Sequence, residues 1–196
     1  MNRLTSSILL AAIVLSCSLS AKAQTPRPRT SPHETVSAVV EGNRVMIVYG
    51  RPYSKNPRGT DIRKIWGGLV PYDKIWRTGA DEATLLISQK PIVIAGTTIP
   101  GNTAFSIFTL PAADGSCKII INKQIGQWGI EPGNPSDVYD EKNDVVRADM
   151  TKSDLDTQVD QFEMSIAKNP DTAAGGGLIR MKWEKLQYTV PFTVAK

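Results

Sequence analysis

The sequence predicts an all-β fold: an antiparallel, jelly-roll-like β-sandwich with two long loops and little helix. Three observations carry this. Short runs rich in Val, Ile, Thr, Phe and Tyr recur along the chain with apolar and polar residues alternating, the period of a half-buried strand. Gly, Pro and Asn punctuate those runs at short spacing, as in sandwiches and barrels. Only residues 153–160 could hold a turn of helix, and that is too short to stand alone.

Taken in order, the chain of 196 residues opens on a leader. Arg3 precedes an apolar run over residues 8–15, and Ala21-Lys22-Ala23 has the small-x-small pattern of a signal-peptidase site. Residues 1–23 are therefore expected to be a signal peptide, giving a secreted or periplasmic protein. Cys17 offers a competing lipoprotein reading, but Leu15 fits that box less well than Ala21-Lys22-Ala23 fits ordinary cleavage. No later stretch reaches the roughly 18 apolar residues of a membrane span. The formal net charge of +4 falls by two once Arg3 and Lys22 are removed. No block of Lys and Arg interleaves with aromatic residues, so nucleic acid is not an expected partner. Cys117 is then the last cysteine, which excludes an internal disulfide and leaves the core to hold the fold.

Residues 24–30 are rich in Pro and Arg and read as an unstructured lead-in to one domain over residues 31–194. Residues 35–40 and 44–49 alternate and flank Glu41-Gly42-Asn43, a hairpin signal. His33, the sole histidine, reads as an ordinary hydrogen-bonding residue and cannot belong to a multi-histidine metal site. Residues 50–68 are basic and studded with Pro and Gly. They predict a long loop carrying Arg51, Tyr53, Lys55, Arg58, Arg63 and Trp66.

Residues 69–84 place Tyr72, Trp76, Arg77, Asp81 and Glu82 between two turns, one at Pro71 and one at Thr78-Gly79. A guanidinium close to carboxylates and an indole face suit a small polar ligand. The same residues suit still better an ion pair pinning a loop over a buried Trp76, the commoner fate of large aromatic groups.

Strands are expected at residues 84–88, 91–94, 97–100, 103–110 and 118–122. In the longest, Phe105, Ile107 and Thr109 face one way while Ala104, Ser106 and Phe108 face the other. A second irregular stretch over residues 122–144 holds Trp128 and the acids Asp137, Asp140, Glu141 and Asp144. Their spacing matches no EF-hand loop, so a solvated acidic loop is expected and no metal. Strands then follow over residues 144–151 and 161–167, and residues 178–183 and 186–194 predict a closing hairpin.

No P-loop, G-x-G-x-x-G or G-x-S-x-G motif occurs, and one His leaves little for triad or zinc schemes. The catalytic residues are unknown and no cofactor is expected. The leading functional expectation is a small-ligand or glycan binding module using Tyr72, Trp76, Arg77, Asp81 and Glu82. Trp66, Tyr53 and Trp128 would edge that site. A hydrolase of an envelope polymer with Asp81 and Glu82 as acid and base is one alternative. A structural or interaction domain of the cell envelope is the other.

Ser31-Pro32-His33, Tyr49-Gly50-Arg51-Pro52, Ile65-Trp66-Gly67 and residues 69–84 together resemble an uncharacterised family of exported bacterial proteins, domain of unknown function 2911. Residues 99–111, Asn122, Trp128-Gly129, Asp144 to Arg147 and Trp183-Glu184 are similar to its pattern too. Ala104 departs from it, standing where the family pattern has an aromatic ring. The resemblance implies an exported protein of a Gram-negative bacterium and supplies no catalytic residues.

Overall fold

The computed structural model of the chain describes residues 30–128, 139–171 and 173–195. The leader with Cys17, most of the lead-in and Asp137 lie outside the described residues. Among the described residues ten strands build two sheets, as the sequence predicts: β1 (His33–Val40), β2 (Asn43–Gly50), β3 (Thr84–Ser88), β4 (Ile92–Ile94), β5 (Thr97–Ile99), β6 (Thr103–Pro111), β7 (Cys117–Asn122), β8 (Asp144–Asp149), β9 (Thr151–Lys168) and β10 (Gly177–Val194). One sheet runs β1-β2-β3-β6-β7-β8 and the other β5-β4-β10-β9, every pair antiparallel. No helix among the described residues is long and apolar enough to cross a membrane.

Local chemistry sets the hairpins. Glu41 and Gly42 both have positive φ (49° and 70°), as do Ala95 and Gly96 (48° and 79°), which is the two-residue geometry that matches strand twist. The first turn therefore falls one residue earlier than the Gly42-Asn43 pair suggests. Asn43 is instead buried, bonding both the N–H and the carbonyl of Lys90. The alternation of β6 holds: Phe105 and Ile107 enter the core between the sheets, while Phe108 packs with Ile120 and Ala83 on the other side. Tyr139 lies edge-on against Phe108 there, so the loops cover part of the outer face.

Two segments differ from expectation. Residues 153–160 are strand throughout, inside β9, because pairing with β10 satisfies a backbone that a single helical turn would leave exposed. The closing hairpin is absent: residues 178–194 form one strand, and Trp183-Glu184-Lys185 is a bulge in it. Glu184 has φ 54° and the register with β9 shifts on both sides of it. A bulge bends a strand without reversing it, and this one changes the buried phase: Ile179, Met181 and Trp183 enter the core before it, and Tyr188, Val190 and Phe192 after it.

The loop between β2 and β3 contributes to the core as fully as the strands do. Ile65, Val70 and Trp76 from it are buried. Trp76 exchanges backbone hydrogen bonds of 2.8 Å with Thr109 in both directions, continuing the line of β3 beyond its end. Its ring stacks on Trp183 (centroids 5.9 Å apart, interplanar angle 21°) and meets Phe162 and Trp66 edge-on. Tyr49 fastens the sheets to each other: its hydroxyl donates to Glu34 and accepts from the N–H of Met164 at 3.0 Å. Burial pushes that phenol up to about 12. Burial also pushes the Cys117 thiol up to about 12, so it stays protonated and is a poor nucleophile.

Candidate functional site

The long β2–β3 loop roofs one end of the sandwich and encloses a hollow of about 460 Å³. Its first limb adds a short strand-like contact to β9: Ser54 N–H donates to Asp160 O at 2.6 Å, and Phe162 N–H donates to Pro52 O at 2.9 Å. A guanidinium N–H of Arg63 donates to the carbonyl of Tyr53, closing the limb on itself. The second limb is held by buried hydroxyls. Thr84 donates to Thr78 O at 2.7 Å, and Thr78 donates to Thr109 Oγ1 at 3.1 Å. Thr78 and Asp81 both sit in the left-handed region, at φ 56° and 64°. That region is sparse for a β-branched residue and is held only by surroundings that over-determine it.

Arg58, Arg63 and Arg77 line the hollow against one carboxylate, Asp81. Tyr53 and Leu69 stand exposed at its walls, and the floor reaches Trp76 and Trp183. Two N–H groups on residues of this lining, Arg63 Nε and Trp183 Nε1, are buried and find no acceptor among the described residues. Such orphaned donors are rare in native folds and call for an explanation.

A second cluster adjoins the hollow. Register places His33, first residue of β1, opposite Gly50, last residue of β2. Gly50 has no side chain, so Ala80 lies directly on it. A Cβ there would stand 2.1 Å from the Ala80 carbonyl oxygen. Ala80 N–H in turn donates to Gly50 O. The two residues after Ala80 consequently land at His33, whose Nε2 is 3.4 Å from Asp81 Oδ2 and 3.2 Å from Glu82 Oε2. Neighbours in an extended strand would point to opposite faces. The left-handed backbone of Asp81 breaks that alternation, and both acids face one imidazole.

Of the residues proposed from sequence, Trp76, Arg77 and Asp81 line the hollow together with Tyr53. Glu82 lies beside His33. Trp66 is half-buried, packed edge-on against Trp76, Trp183 and Tyr188. Tyr72 covers Gly67, where a Cβ would meet its ring at 2.5 Å. Trp128 is 54% exposed and is not among the residues that line the hollow. Sequence reasoning missed His33 and Trp183. They come from β1 and β10, far along the chain from residues 69–84, and only strand pairing brings them in.

The fold and this site define an all-β sandwich whose longest inter-strand loop both plugs the core and roofs a cationic hollow. The chain belongs to the family described as protein of unknown function (DUF2911), whose sequence model matches residues 31–192. No curated protein and no solved structure matches the chain.

Proposed function

We propose that the protein is a binding module for a small ligand bearing an anionic group, an acidic sugar foremost, held in the hollow beneath the β2–β3 loop. The observation that carries this reading is the lining: three guanidinium groups against a single carboxylate. Guanidinium forks suit carboxylate, sulfate and phosphate oxygens. The volume falls in the range of small-molecule sites, roughly 300–1,000 Å³. Tyr53, exposed at the wall, supplies a ring face for the body of such a ligand, and the orphaned N–H groups of Arg63 and Trp183 would gain acceptors.

The test is thermal denaturation with glucuronate, galacturonate, sulfate and phosphate, each beside a neutral control such as glucose. An anionic probe should raise the melting temperature. The rise should shrink in added salt and in Arg58→Gln and Arg77→Gln. Equal response to neutral and anionic probes, or none to either, defeats the proposal.

Hydrolysis at Asp81 and Glu82 ranks second. The two carboxylates face one imidazole at nearly equal distance, and only Asp81 lines the hollow, so a substrate held there would meet one carboxylate where the scheme needs two. The leader over residues 1–23 supports a periplasmic or secreted setting for the binding module. Bacterial expression of the full chain should yield an exported product beginning at Gln24, read by mass spectrometry. A product retaining residues 1–23, or one starting at a lipidated Cys17, would replace that view.

A further inference from the structure

We propose that His33, Asp81 and Glu82 form a site for a divalent transition metal of the zinc class at the rim of the hollow. Among the described residues this is the one group in which three such side chains each offer a ligand atom, all within 4.8 Å of one another. The set of one imidazole nitrogen and two carboxylate oxygens suits borderline cations, whereas calcium and magnesium favour oxygen alone.

The distances leave room for a shared cation. A charge-assisted N–H···O bond closes to about 2.7–2.9 Å. Donors around a tetrahedral ion with bonds of about 2.0–2.2 Å lie about 3.3–3.6 Å apart, twice the bond length times the sine of half the tetrahedral angle. Of the observed distances, 3.4 Å to Asp81 falls within that span and 3.2 Å to Glu82 lies just short of it.

The cluster is also built on backbone. The β1–β2 register fixes His33, and the contact of Ala80 on Gly50 fixes the acids. Three protein donors leave a fourth tetrahedral position for water or another ligand. Only Asp81 is common to this cluster and to the lining of the hollow, so the metal site goes beyond the anion reading and does not rest on it.

His33 is the only histidine in the chain, so a single set of imidazole ¹⁵N signals reports the site without assignment. The experiment takes the full chain, treated with chelator and free of organic anions, and adds Zn²⁺ while recording those signals and the heat of binding. One Zn²⁺ per chain should bind, with the His33 ring nitrogens moving in step. Affinity should fall by about tenfold or more in Glu82→Gln and in His33→Ala. Ca²⁺ and Mg²⁺ should leave the ring signals in place. The proposal is overturned if Zn²⁺ leaves the ring signals of the unaltered chain unmoved, or if Glu82→Gln binds Zn²⁺ as tightly as that chain does. The cluster is then an ion pair only. If His33→Ala fails to fold, the ring signals and Glu82→Gln still decide. Anionic probes given to metal-free Glu82→Gln should still raise its melting temperature, so the metal site and the anion reading can fail separately.

Discussion

Truncating Trp183 to alanine is expected to destabilise the sandwich by about 3–5 kcal/mol, the range for removing a large buried aromatic side chain. Urea denaturation followed by far-UV circular dichroism would measure it. The size follows from where the ring sits. Trp183 is 1% exposed, stacks on Trp76, and meets Trp66 and Phe162 edge-on at 6.4 Å and 5.7 Å. Trp183 and Phe162 belong to β10 and β9, whereas Trp66 and Trp76 belong to the β2–β3 loop. The ring therefore clamps the loop to the four-stranded sheet. Limited proteolysis of the variant should cut first within residues 51–83, because the loop loses its anchor before the strands lose theirs. A loss below about 1 kcal/mol, within the range of an ordinary substitution, would show that the loop is held by its backbone contacts instead.

Gly50→Ala should cost about 1–3 kcal/mol, as overpacking of a close contact does, and should also displace the Asp81–Glu82 pair from His33. The new Cβ would stand 2.1 Å from a backbone carbonyl oxygen and 2.9 Å from its carbon. Neither can rotate away as a flexible side chain can, so the second limb of the loop must move. Gly96→Ala is the control. It carries a left-handed backbone cost of about 1–2 kcal/mol, but a Cβ there meets nothing within 4 Å. Both variants should lose stability, and only Gly50→Ala should shift the His33 imidazole signals. A ring unaffected by Gly50→Ala would mean that the acids are positioned by something other than the Ala80 contact.

The strand content and most hairpins were legible because their causes are local. Alternation in residues 103–110 and glycine at the turns act within a few residues, and the structure keeps them with a shift of one position at most. The bulge at Glu184 was not legible. A Trp-Glu-Lys step reads as a break in apolar alternation, and only the partner strand decides whether the chain reverses or bends. The site divides in the same way. Trp76, Arg77 and Asp81 announce themselves by residue type within one short segment. His33 gains its neighbours through a register pairing and a missing side chain at Gly50, and neither the distance along the chain nor the residue types encode that meeting. Trp76 shows the opposite case. Its chemistry suggested a ligand face, yet its ring is only 9% exposed and serves packing first.

The unequal cover of β9 bears on self-association. Its second half is sealed by the short pairing with Pro52 to Ser54. Its first half forms the outer border of the four-stranded sheet and is mostly exposed. Unprotected borders of this kind recruit further strands and seed aggregates. Here Asp154 and Asp156 line it, both exposed. An identical strand laid alongside would bring like charges into apposition, which is unfavourable. Repulsion between carboxylates thus guards the longest open border of the fold against runaway polymerisation. Neutralising those two aspartates would remove the guard while leaving the packed interior untouched.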